Sequence, residues 1–168
     1  RLADRLVSEY GVSAVIGSWG SSLSISAGKS FSSTGIPAIA PSATNSEVTS
    51  GNDYYFRSSF LDSFQGEVLA KLAHEELEAE KAVIFYEKGS EYSEGLATVF
   101  KKEVTELAGS SAGIIYEAGY ESSETDFTSI LEDIYDLKPD VIFAPGGFTQ
   151  SAMLIRQAKR MGIRSQFL

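Results

Sequence analysis

The feature that most restricts the fold of this chain is the recurrence of short, almost unbroken apolar runs: Ala14-Val15-Ile16, Pro37-Ala38-Ile39-Ala40, Ala82-Val83-Ile84-Phe85-Tyr86, Gly113-Ile114-Ile115-Tyr116 and Val141-Ile142-Phe143-Ala144. Strands without polar alternation are covered on both faces, the condition of a parallel sheet between layers of helix. Helical spacing fills the intervals, in Leu69, Leu72, Ala73 and Leu77, in Leu96, Val99, Phe100, Val104 and Leu107, in Phe127, Ile130, Leu131 and Ile134, and in Ala152, Ile155, Ala158 and Met161. Gly109, Pro139 and Gly162 stand where such helices stop, and Asp126 where one is capped. The alternation predicts an α/β chain of parallel sheets with flanking helices and right-handed crossovers. The first ten residues read as a helix with Leu2, Leu6 and Tyr10 on one face and nothing to lie against, the mark of a piece cut from something larger.

Charge divides the chain. Residues 11–60 carry four charged side chains, Lys29, Glu47, Asp53 and Arg57, whereas most of the Lys, Glu and Asp fall after residue 60, so a boundary is expected there. With 14 Lys and Arg against 23 Asp and Glu, and no basic run longer than Lys101-Lys102, the footprint of a nucleic-acid or anionic-membrane binder is missing. No apolar run approaches the roughly 18 residues of a spanning helix, so the expectation is a soluble piece with no direct membrane insertion and any targeting segment absent or removed. Without Cys, disulfide scaffolds, thiolate zinc sites and Cys nucleophiles are excluded, and an oxidising, cell-external setting is suited. One His, His74, cannot build a multi-histidine metal site; set among Glu75, Glu76 and Glu78 it reads as solvated.

Enzyme signatures fail one by one. Gly28-Lys29-Ser30 resembles the end of a phosphate loop, but Leu23 occupies the required upstream glycine position. No G-x-G-x-x-G follows a predicted strand, and Gly17-Ser18-Trp19-Gly20-Ser21 has the wrong spacing for a nucleophile elbow. No cofactor is therefore expected. What Gly17–Ser22 offers is a strand end, a turn and two hydroxyls opening a helix over about 21–34. Unused N–H groups and the positive dipole end attract an anion there, and the alternative is that one serine caps its own helix. Pro41 pins a second strand end, whose loop Ser42-Ala43-Thr44-Asn45 faces the same carboxyl edge, where open α/β sheets bind ligands.

These residues, with Gly35-Ile36-Pro37, Thr49, Phe56-Arg57, Asp62, Gln65-Gly66, Tyr92, Gly95-Leu96-Ala97, Asp126-Phe127, Pro139-Asp140-Val141, Arg156-Gln157-Ala158 and Gly162, resemble, in order and near spacing, the extracytoplasmic leucine/isoleucine/valine-type solute-binding proteins of ABC importers. The resemblance covers essentially the whole chain. It implies parts of two Rossmann-like lobes of a type I periplasmic binding protein, roughly half of a full-length member. Residues 1–60 would lie in the first lobe, 61–65 in the first crossover and 66–168 in the second lobe.

By the same resemblance Ser21 donates to a ligand carboxylate, Thr44 holds carboxylate and ammonium, the Ser42 carbonyl accepts from the ammonium, and Tyr92 closes over the ligand. Trp19 is a candidate pocket wall, its alternative being plain packing. The family's aromatic after a Gly-Gly pair falls on Phe148 counted from Gly146-Gly147, or on Gly147 counted from Asp140. Its acidic ammonium partner is expected just past Leu168. Arg57 reads as a structural ion partner. The implied function is non-enzymatic: capture of an amino acid, branched-chain or a similar carboxylate, with a membrane permease as partner, at the periplasmic or extracellular face. A sensor on the same scaffold is the alternative.

Overall fold

The computed structural model describes residues 2–109 and 113–168, which form two compact units. One runs to Ser63 and takes in Ser90–Tyr92; the other comprises Phe64–Gly89 and Ser93–Leu168.

The first unit holds α1 (Leu2–Ser8), β1 (Val15–Ile16), α2 (Ser21–Thr34), β2 (Ala38–Ala40), a 3-10 turn (Ser46–Val48) and β3 (Tyr55–Arg57). Its strands run parallel in the order β1-β2-β3, so that Val15, Ala38 and Tyr55 form one row and Ile16, Ile39 and Phe56 the next. Adjacent rows point to opposite faces. Ala38, Ala40 and Tyr55 are buried with Phe31, Ala43 and Val48. The other row is open, Ile16 at 86%, Ile39 at 46% and Phe56 at 53% exposure. The prediction of strands covered on both faces is thus corrected for this sheet: within the unit, helices lie against only one side. The stripe expected on the first helix has nothing against it here: Leu2, Leu6 and Tyr10 are exposed, while Ala3 and Val7 pack on the core.

In the second unit β4 (Lys81–Glu87), β5 (Gly113–Tyr120), β6 (Val141–Phe143) and β7 (Gln166–Phe167) form a parallel sheet ordered β5-β4-β6-β7. Here two of the three apolar runs behave as predicted, with Val83, Ile84, Phe85, Val141 and Ile142 wholly buried, whereas the run 113–116 is corrected: it lies on the edge strand β5, holds no buried residue, and leaves Ile115 39% exposed. Helices α4 (Glu91–Ala108), α5 (Thr128–Tyr135) and α6 (Phe148–Met161) alternate with the strands. Gly109 and Gly162 follow α4 and α6 at φ of 66° and 83°, left-handed positions that stop a helix without Cβ strain. The cap predicted at Asp126 is corrected: the N-cap of α5 is Phe127, without a side-chain cap bond, and Asp126 closes the turn just before it, accepting from the Thr128 N–H at 3.0 Å and its hydroxyl at 2.5 Å.

Helix α3 (Asp62–Lys71) continues into a π turn, Leu72–Glu76. Its buried positions are Asp62, Gly66, Ala70 and Ala73; of the predicted stripe only Ala73 is buried, Leu69 and Leu72 being half-buried and Leu77 exposed. Close packing is the reason: a Cβ on Gly66 would lie 2.5 Å from Val99 Cγ1 on α4. The extra residue of the π turn shifts the phase by about 100°, and Leu77 falls on the solvent side at 38% exposure. Gly66→Ala is therefore expected to lower stability by about 1–3 kcal/mol through overpacking. Chemical denaturation checks this, and a change under about 0.5 kcal/mol would show that the helices separate easily.

Candidate functional site

Because β1 and β2 are parallel, the turns that follow them leave the same edge of the first sheet. The turn after β1 is held from β3: the Tyr55 hydroxyl donates to the Gly17 carbonyl at 2.6 Å and accepts from the Ser18 N–H at 3.1 Å. Gly20 is the N-cap of α2 and makes no side-chain cap bond. That corrects the reading of a serine capping its own helix, since Ser21 is already the first helical residue and its hydroxyl reaches sideways. Ser21 is 2% exposed, and its Oγ accepts from the Asn45 N–H at 3.2 Å. Accepting there leaves the Ser21 proton to donate elsewhere. Ser22 Oγ accepts from the Glu91 N–H at 3.0 Å.

The turn after β2 is tied to the first one. Ser42 Oγ donates to the Trp19 carbonyl at 2.7 Å. Asn45 accepts from the Glu47 N–H at 2.9 Å, capping the 3-10 turn, and donates to the Glu91 carbonyl at 2.6 Å. Arg57, at the end of β3, forks over the whole segment: Nη1 donates to the carbonyls of Ala43 at 3.2 Å and Asn45 at 2.9 Å, and Nη2 to the Ser46 carbonyl at 3.2 Å and Thr49 Oγ1 at 2.7 Å. The expected ion partner is thus chiefly a clasp on backbone carbonyls, a task suited to a planar five-donor group. Between its two Nη1 bonds sits Thr44, whose carbonyl accepts from the Asp62 N–H at 3.0 Å. Thr44 is 7% and Asp62 4% exposed. Burial pushes the Asp62 carboxyl above its ordinary range, with the nearby Thr44 hydroxyl and the Arg57 guanidinium opposing. Neither Thr44 Oγ1 nor the Asp62 oxygens complete a hydrogen bond of good geometry.

Ser21, Ser42, Thr44 and Trp19 are thus brought together at one sheet edge in the first unit. Trp19 is 75% exposed, so it is not packed as a core residue. Tyr92, half-buried near the start of α4, groups with the same unit. Phe148 belongs to the second unit, where it is the first residue of α6 after the N-cap Gly147, with its ring 89% exposed. Among the described residues no group of three His, Cys, Asp or Glu could hold a metal ion, and no helix is long and apolar enough to cross a membrane.

Two hydroxyls and a tied-down loop at one parallel-strand edge can donate to and accept from a small anionic or zwitterionic ligand. The family described as periplasmic binding protein matches residues 1–168. The chain belongs to that family. It is 30% identical over 168 residues to the leucine-specific-binding protein of Salmonella typhimurium, covering 99% of this chain and 44% of that protein. The chain therefore spans under half the length of that curated relative. It superposes on a leucine-binding protein, LivK, of Thermotoga maritima at a TM-score of 0.94 and 30% identity, covering 98% of this chain and 46% of the other. A branched-chain amino acid transporter substrate-binding protein, LivJ, of Streptococcus pneumoniae, in complex with isoleucine, superposes at 0.89 and 31% identity, covering 99% and 46%.

Within this periplasmic binding protein chain, sequence reasoning missed Tyr55 altogether and named Asn45 and Asp62 without giving either a role in the site's framework. One signal existed for the clasp: Arg57 is one of only four charged residues between 11 and 60, and a cation in a stretch so poor in charge turns to polar partners nearby.

Proposed function

We propose that this chain serves as the ligand-gripping part of the solute-binding component of an ABC importer, taking up a small amino acid of branched-chain type by closure of the family's two lobes. In this reading residues 1–60 belong to the first lobe, 61–65 to the crossover and 66–168 to the second. The protein does no chemistry on its ligand, works at the periplasmic or extracellular face, and hands the ligand to a membrane permease. Ser21 donates to the ligand carboxylate, Thr44 and the Ser42 carbonyl receive the ammonium, and Tyr92, Trp19 and Phe148 contribute walls.

The observation that carries this is the Ser21–Asn45 bond, which joins the two turns. A zwitterion stripped of water needs several charge-assisted bonds at once, each contributing about 1.5–3 kcal/mol. Fixed hydroxyls and amides can supply them without a reorganisation cost. The isoleucine bound to the pneumococcal relative supports the ligand class.

Melting curves with L-leucine, L-isoleucine and L-valine test the reading, since a ligand that binds only the folded chain raises its melting temperature. Calorimetry on Ser21→Ala is then expected to show affinity weakened by about 1.5–3 kcal/mol, roughly ten- to a hundredfold. Unchanged affinity would remove Ser21 from the site, and no stabilisation by any amino acid would remove the ligand class.

A further inference from the structure

We propose that Ser22 and Asn45 are positioning residues for Tyr92: between them they hold both peptide groups of Glu91, and so fix the backbone from which the Tyr92 ring projects. The inference rests on the function proposed above, in which Tyr92 is a wall of the amino-acid site, and names what puts that wall in place.

Helix α4 belongs to the second unit from Ser93 onward, yet Ser90, Glu91 and Tyr92 belong to the first. The N–H of the first helical residue, Glu91, has no acceptor within its own helix, and Ser22 Oγ accepts it from outside at 3.0 Å. The Glu91 carbonyl keeps a lone pair beyond the one a helix ladder uses, and Asn45 Nδ2 donates to it at 2.6 Å. These two groups lie in successive planar peptides, on either side of the Glu91 Cα, and the second plane carries the Tyr92 Cα. Ser22 stands in the first turn of α2, after β1, and Asn45 in the turn after β2, so the hold comes from the same two turns that carry Ser21 and Thr44. Asn45 is itself fixed. Its Oδ1 takes the Glu47 N–H at 2.9 Å, its own N–H donates to Ser21 Oγ at 3.2 Å, and its carbonyl accepts from Arg57 at 2.9 Å, with the residue 8% exposed. Tyr92 is half-buried where it is held. Without the two bonds this segment would have to be ordered as a ligand arrives, and that ordering counts against affinity.

The test follows L-leucine affinity by calorimetry and the ring signals of Tyr92 by NMR without ligand, on the 168-residue chain and on its Asn45→Ser and Ser22→Ala variants. Serine at 45 keeps a short acceptor for the Glu47 N–H but cannot reach Glu91. Ser22→Ala removes one half-buried oxygen and serves should Asn45→Ser fail to fold. Each variant is expected to weaken leucine about three- to tenfold, to shift the Tyr92 ring signals, and to leave those of Tyr55 unmoved. Tyr55 is the control because its hydroxyl holds the turn after β1. Ser22→Thr keeps the hydroxyl and should return both readings to the parent values. Weaker leucine with Tyr92 unmoved overturns the proposal, because the two residues would then act on the ligand or its turns directly. Shifted Tyr92 signals with unchanged affinity overturn it too, as does movement of Tyr55 together with Tyr92, the mark of a merely structural role. If the parent chain binds none of leucine, isoleucine and valine, the proposed function fails, and the Tyr92 signals alone decide whether Ser22 and Asn45 hold that residue; unmoved signals then overturn the hold as well.

Discussion

Exchanging Arg57 for methionine is expected to lower the stability of the first unit by about 3 kcal/mol and to abolish measurable amino-acid binding. The guanidinium makes four hydrogen bonds to one seven-residue segment, Ala43–Thr49, and two of its acceptors belong to the buried residues Ala43 and Asn45. Methionine fills much of the same space, so the loss is one of bonds more than of packing. The Ala43 carbonyl keeps the Ser59 hydroxyl, the Asn45 carbonyl the Val48 N–H and the Ser46 carbonyl the N–H groups of Thr49 and Ser50, so the loss falls on the charged bonds that tie the segment to β3. The Asp62 carboxylate would at the same time lose its nearest opposing charge. Arg57→Lys should recover little, because an ammonium cannot fork across carbonyls on both sides of Thr44. Urea denaturation followed by circular dichroism measures the first effect and calorimetry the second. A stability change under about 1 kcal/mol with binding intact would mean that the loop holds itself.

The second large effect is expected in the other unit. A Cβ at Gly146 would collide with the Tyr120 hydroxyl and come within 3.3 Å of Ser151 Oγ. Tyr120 cannot swing aside, since its ring is 5% exposed and packs edge-on against Phe127 with centroids 5.2 Å apart. Gly146→Ala should therefore lower stability by about 2–3 kcal/mol. In a Tyr120→Phe background the colliding oxygen is gone, and the same substitution should cost about 1 kcal/mol or less. Tyr120→Phe by itself should be neutral or slightly stabilising, because the buried hydroxyl it removes has no partner. Strict additivity of the two substitutions would refute the close contact.

The same phenol gives a pH signature. Burial, with Glu87 adding repulsion, pushes Tyr120 from 10.0 up to about 12. Below pH 10 it is protonated folded and unfolded alike. Between 10 and about 12 only the unfolded chain releases the proton, so stability declines as pH climbs through that interval, and Tyr120→Phe should decline less.

Legibility in the sequence tracks how local each interaction is. Helix α2 spans Ser21–Thr34, the span of about 21–34 expected after the strand end and its turn. Of the runs at 82–86 and 141–144, Ala82–Phe85 and Val141–Phe143 are buried, as their lack of polar alternation foretells, and only the last residues, Tyr86 and Ala144, are half-buried. The run at 113–116 grows into the eight-residue β5, an edge strand whose half-exposed tail carries no continuous apolar signal. At the candidate site, two hydroxyl-bearing strand ends were legible as a pair because parallel strands must present their carboxyl ends together. The Arg57 clasp and the Tyr55 strut were not, since they act across 8 to 38 positions of sequence.

The amino-acid order alone thus determined the α/β alternation, the positions of most strands and helices, and the absence of enzyme and nucleic-acid signatures. All of these arise from periodicity and composition within a window of about 10 to 18 residues. Tertiary structure alone decided that the first sheet buries one face, that α3 packs through Gly66 and alanines instead of leucines, and that Ser21 bonds to the loop and not to its own helix. It also decided that Asp62 lies buried against Thr44. The physical reason is that a side-chain donor selects its acceptor by distance and angle after the backbone has brought distant segments together, and no repeat in the chain records that choice.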